Sequence, residues 1–147
     1  INGSGLVDAT VLPKDGTYSV FLDPADNSIG QATVQIIRVK DVATPISIGG
    51  PAVTAKLLTP GAIANLTFSG TAGQRVFVEI LSGTLPDQCG GFSVTAPDGH
   101  PIESVCTTRG KGAFNEKGIV LPETGTYSII IDPAEKNTGE ITIKAHL

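Results

Sequence analysis

One stretch of this chain occurs twice, and that repetition limits the fold more than any other feature. Leu12, Pro13, Lys14, Asp15, Gly16, Thr17, Tyr18 and Ser19, followed by a short apolar run and Asp23-Pro24-Ala25, return at Leu121. There they read Leu121, Pro122, Glu123, Thr124, Gly125, Thr126, Tyr127 and Ser128, an apolar run and Asp132-Pro133-Ala134. The offset of 109 residues continues without a gap through Gly30/Gly139 and Thr33/Thr142. Self-similarity at a fixed period is the mark of a repeat architecture, in which each copy is one structural unit. Two copies of a strand-turn-strand unit are therefore expected, and the 147-residue chain reads as a slice of a tandem array. By the match, residues 1–38 correspond to residues 110–147, so the partial repeat at 1–39 is the last third of a repeat.

The segment between the copies is built for short strands. The chain has 18 Gly, 10 Pro and only 5% aromatic residues, with Val, Ile and Thr prominent. This favours strands joined by tight turns, and no window of helical length keeps a helical period. Candidate strands fall at 45–48, 52–58, 62–69, 75–81, 91–96, 102–107, 118–121, 126–132 and 140–146. The breaks between them are rich in Gly, Pro and Asp, which have backbone reasons to turn. Leu66, Phe68, Val76, Val78 and Ile80 mark inward faces; Thr67, Arg75 and Glu79 point out. Regular short strands at about ten-residue spacing predict an all-β, antiparallel β-sandwich of jelly-roll-like type. The expected organisation is a partial repeat at 1–39, a junction at 40–44 and a complete module at 45–147. Within the partial repeat, residues 7–11, 17–22 and 31–39 read as strands, with a Gly-Ser-Gly turn before them and residues 23–30 as the turn between the last two.

Cys89 and Cys106 lie on either side of an Asp98-Gly99 turn, in a segment that alternates apolar and polar residues as a hairpin does. A two-residue turn there pairs positions whose numbers sum to about 197, and those of the cysteines sum to 195. The expected arrangement is a cross-hairpin disulfide, hence an oxidising compartment; a pair of reduced, buried thiols is the other.

The wording of residues 121–143, preceded by Leu-Thr-Phe-Ser-Gly-Thr-Ala-Gly-Gln at 66–74 and Phe-Ser-Val-Thr-Ala-Pro-Asp-Gly at 92–99, resembles the tandem β-sandwich repeats of large secreted and surface-attached bacterial proteins, akin to pre-peptidase C-terminal domains. The resemblance covers most of 45–147 and part of 1–39. It implies a sandwich used outside the cell as a spacer, adhesive or binding unit, without catalysis. The cysteine pair and the start in mid-repeat depart from that pattern.

No residue pattern carries chemistry. The two histidines, His100 in a turn and His146 beside the chain end, have no nucleophile in a recognisable motif, so no enzyme is expected. Asp23, Asp26 and Asn27, and again Asp132, Glu135 and Asn137, are oxygen-rich turns that Ca²⁺ could use, but they lack the spacing of a Ca²⁺ loop; no cofactor is expected. Asn65-Leu66-Thr67 fits a glycosylation acceptor but falls within a strand. Arg109-Gly110-Lys111-Gly112 is too short for a nucleic-acid patch, and the net charge of −4 gives no basic field for nucleic acid or an anionic membrane. Sugar binding by stacking needs exposed rings. The chain has no Trp and two Tyr, and Tyr18 and Tyr127 suit a sheet corner with the hydroxyl bonded to backbone.

No apolar run reaches the length of a membrane span, no basic-then-apolar leader is present, and the chain lacks Met, which reads as processed material or part of a longer product. Two readings follow. In the first, the chain is an extracellular, secreted or surface-attached structural module that self-assembles head to tail into a fibre or surface array. Its partner is another copy or a neighbouring repeat, and Tyr18, Val20, Leu22, Val34, Ile36 and Val39 are the joining residues. A two- or three-stranded piece is marginal alone in water, and its edges invite pairing. In the second, it is an adhesin or carbohydrate-binding accessory module of a larger surface protein.

Overall fold

The computed structural model describes residues 5–107, 112–113 and 117–147, and in them every regular element is a strand. Ten strands form: β1 Val42–Pro45, β2 Val53–Leu57, β3 Ala64–Gly70, β4 Arg75–Gly83, β5 Gln88–Thr95, β6 Pro101–Thr107, β7 Gly112–Ala113, β8 Ile119–Val120, β9 Gly125–Ile131 and β10 Gly139–His146. They make two sheets, one ordered β1-β3-β9-β5-β6 and the other β2-β10-β4-β7, with β8 also on β4. All pairings are antiparallel except β1 with β3, which run parallel.

Alternation builds the core. In β9, Tyr127, Ile129 and Ile131 are fully buried, and in β10 so are Ile141, Ile143 and Ala145. The five predicted inward residues of β3 and β4 are all buried, while Arg75 and Glu79 are exposed. The two sheets close over one core drawn from Ile46 to Ala145, with Val39 packed at its margin. A β-sandwich is thus the observed architecture.

The hairpin between β5 and β6 follows the predicted register and refines its turn. Phe92 pairs with Val105, Ser93 with Ser104 and Val94 with Glu103, all on the sum of 197, and Cys89 pairs with Cys106 on the sum of 195. The two-residue difference is absorbed at Gly90-Gly91, where the ladder shifts and Gly90 takes φ of 86°. The loop has three residues rather than two. Ala96 N–H donates to His100 O (2.8 Å), Gly99 N–H donates to Ala96 O (2.9 Å), and Gly99 is left-handed at φ 88°. Pro97 favours the first loop position and Gly99 fits the left-handed one, as a three-residue hairpin requires.

Two expectations are corrected. Residues 40–44 are not wholly a junction, because β1 occupies Val42–Pro45 and the segment 45–48 is not a strand beyond Pro45. The Asp41 carboxylate accepts from Ile63 N–H (2.9 Å) and Val42 N–H donates to Ile63 O (2.9 Å), which fixes the strand to its neighbour. Pro45 is tolerated because β1 is an edge strand. The second correction is larger: residues 5–41 contain no strand, so 7–11, 17–22 and 31–39 form no ladder. The sequence does alternate there, but alternation becomes a sheet only where neighbouring strands supply the hydrogen bonds. Gly3 and Ser4 of the Gly-Ser-Gly turn, and residues 109–111, lie outside the described residues.

Candidate functional site, the unpartnered arm and its junction

The two copies of the repeat have the same local geometry and opposite surroundings. Tyr127 hydroxyl donates to Glu123 O (2.6 Å), and Tyr18 hydroxyl donates to Lys14 O (2.6 Å), the same bond four residues back in each copy. Asn137 N–H donates to Ala134 O (3.2 Å) with Glu135 at φ 54°, and Ser28 N–H donates to Ala25 O (3.1 Å) with Asp26 at φ 53°. Corner and turn are therefore encoded within each copy. The strands are not: Tyr127 is fully buried and stacked on Phe68 (5.3 Å between ring centres), whereas Tyr18 is half exposed.

Of the joining residues, Tyr18, Val20, Leu22, Val34 and Ile36 are all exposed, Ile36 at 85%, while Val39 packs against the module. Among the described residues, every exposed large apolar side chain other than Leu58, Leu81, Val120 and Leu147 lies in this arm. Exposed large apolar side chains are thus concentrated in residues 7–37.

The arm is tied to the module at its base. Lys40 N–H donates to Thr59 Oγ1 (3.4 Å), and a Cβ added at Gly61, which has φ 77°, would come within 4 Å of the Leu6, Ala9 and Val39 side chains. A cleft of about 630 Å³ opens at this junction, lined by residues 5, 6 and 8 of the arm, Gly61, the Gly90-Gly91 bulge and residues 132–136. Gln88 spans it, donating from Nε2 to Asp132 O (3.0 Å) and accepting from Ala134 N–H (2.9 Å). Burial raises the Asp132 carboxyl above the usual range, and the charges of Asp8 and Asp41 push it further the same way.

The other singled-out residues have structural roles. Cys89 and Cys106 are disulfide-bonded across β5 and β6. His100 is exposed beside Asp98, which it holds below the usual carboxylate range, chiefly through its backbone N–H. His146 stacks on Phe77 (5.4 Å) and faces Glu79 (3.7 Å). Asn65 lies between β1 and β9 with Oδ1 buried, a poor glycosylation acceptor. The described residues hold no group of three His, Cys, Asp or Glu placed for a metal ion, either at 23–27 or at 132–137. Sequence reasoning missed the Gln88 bridge and the acidic junction, because neither has a local pattern.

Neither a protein-family model nor a curated protein matches the sequence. The fold does have a counterpart among solved structures, the pre-peptidase C-terminal domain of a collagenase from Bacillus anthracis. The likeness has a TM-score of 0.52 and 11% identity, covering 72% of this chain and 96% of that one. A periplasmic inhibitor of g-type lysozyme from Aeromonas hydrophila, PliG, is similar at a TM-score of 0.43 and 19% identity, covering 72% of this chain and 99% of that one. The first likeness bears out the sequence resemblance at the level of the β-sandwich fold.

Proposed function

We propose that the chain is a non-enzymatic structural unit of an extracytoplasmic head-to-tail array, a fibre or surface layer, in which residues 1–39 pair with a neighbouring unit. The single observation that carries this reading is the arm: a segment with the sequence of two core strands, folded into its local turns, bearing apolar side chains that its own module leaves exposed. The disulfide agrees with an oxidising location, extracellular or periplasmic. Bonds at Lys40, Asp41 and Val42 hold the base of the arm to the loop at 59–63.

Electron microscopy of a concatenated chain, residues 1–147 followed by further copies of residues 39–147, tests the structural role, since the repeat offset makes residue 39 the natural successor of residue 147. Straight rows of evenly spaced beads are expected. Beads that orient independently of one another would rule the structural role out.

A further inference from the structure

The repeat also bears on the kind of partner that the proposed joining role would require. Residues 17–22 correspond to β9 and residues 30–37 to β10. Both of those are interior strands. β9 lies between β3 and β5 in one sheet, and β10 lies between β2 and β4 in the other. The loop joining them crosses from sheet to sheet, so the pair forms an arch with one leg in each layer. Addition to the edge of a single sheet would engage one leg and leave the other bare. An arch of this sequence is fully paired only inside a sandwich that is vacant at both interior positions.

The six inward positions then show what kind of sandwich fits. In the module they are Tyr127, Ile129, Ile131, Ile141, Ile143 and Ala145, all fully buried. Their counterparts in the arm are Tyr18, Val20, Leu22, Ala32, Val34 and Ile36. Four are near-isosteric, but two reverse in size: Ile141 becomes Ala32, and Ala145 becomes Ile36. Ile141 sits opposite Ala55 of β2, and Ala145 opposite Val78 of β4. Placed in this module's own core, the arm would open a void beside Ala55 and crowd the space beside Val78. Interiors packed at crystal density tolerate neither change well.

We infer that the partner of the arm is a sister β-sandwich of this topology, vacant at its last two strands, with a bulkier residue than Ala55 facing Ala32 and a smaller one than Val78 facing Ile36. This rests on the joining role proposed above and names the partner. A second, closed copy of this chain is not an acceptor: its own β9 and β10 fill the slots and fit them better. The size reversal keeps the arm from exchanging with the last strands of its own kind, which is how an array of similar units avoids swapped or closed products.

The test is a single polypeptide in which residues 40–109 precede residues 1–147. By the offset, residue 109 is followed by the equivalent of residue 1, so the added segment is an open sandwich with the arm next in sequence. A control places residues 40–147 before residues 39–147 and shows that the added segment folds when given its own last strands. Hydrogen exchange and calorimetry are the readouts. Amides of 18–22 and 31–36 are expected to become protected in the fusion. Its first sandwich is expected to melt at least about 10 °C below the control's, because of the misfit. Ala32→Ile combined with Ile36→Ala should raise that transition, or permit closure if the native arm alone does not close, and either result supports the size rule. An arm that stays unprotected in both fusions while the control folds overturns the proposal. So does equal melting with the native and resized arms, or concentration-dependent protection of the arm in residues 1–147 alone, which would make a second copy the partner. None of these outcomes bears on the straightness of the concatenated rows, so the two readings fail separately.

Discussion

Residues 12–37 and 121–146 are related sequences placed in two settings, and the difference between those settings separates what a sequence encodes locally from what it borrows from its neighbours. The tyrosine corner and the turn with a left-handed residue form in both, down to matching bond lengths at Tyr18 and Tyr127. The ladders form only in the second copy, where β3 and β5 flank β9, and β2 and β4 flank β10. Turns satisfy their own backbone groups within a few residues, whereas an interior strand takes its hydrogen bonds from two others. The arm is thus half folded in a specific sense: its corners are set and its strands await partners.

Matched substitutions in the two copies should break the symmetry most visibly. Tyr127→Ala removes a fully buried ring stacked on Phe68 and should cost about 3–5 kcal/mol, whereas Tyr18→Ala should leave the melting temperature of the isolated chain unchanged in calorimetry. Reduction of the Cys89–Cys106 bond, which closes a short loop with a sequence separation of 17, should lower stability by about 3 kcal/mol in denaturant titration, since it acts wholly within the module. Gly91→Ala would drive a side chain into Asp132 O and the Gln88 side chain, and should destabilise β5 by about 1–3 kcal/mol, while Gly30→Ala in the arm meets open space and should be silent.

Smaller effects sharpen the comparison at the junction. Tyr127→Phe leaves Glu123 O without its hydroxyl donor and should cost about 0.5–1.5 kcal/mol; the same change at Tyr18 should not alter the module. The smallest concerns charge. Asp132 holds its proton to higher pH in the folded chain than in the unfolded one, so above that raised pKa its ionisation opposes folding, and the penalty disappears as pH falls through it. Asp132→Asn, or Asp8→Asn, should therefore raise stability slightly at neutral pH, and the gain should vanish at the acidic end of a pH series of melting curves.

The sandwich was legible because its signals are short-range. Alternation in β3, β4, β9 and β10 named the buried faces, and the Asp98-Gly99 turn with Cys89 and Cys106 gave the register of β5 and β6 to within the bulge at Gly90-Gly91. Three features were not legible. β1 was hidden because Pro45 resembles a boundary, yet on an edge strand it is harmless. The Gln88 bridge and the Asp8–Asp132 junction join residues far apart in sequence that no pattern pairs. The state of the arm was misread because residues 17–22 and 31–39 carry every strand signal, and whether such a segment pairs is decided by what surrounds it.

Hydrogen exchange on the intact 147-residue chain, compared at positions 109 residues apart, tests the central claim most directly. Amides of 127–131 and 141–145 should exchange only through unfolding of the module, and those of 18–22 and 32–36 at close to the rates of an open chain. Equal protection in the two copies would contradict the account, because the arm would then already have its strands in place without a neighbour.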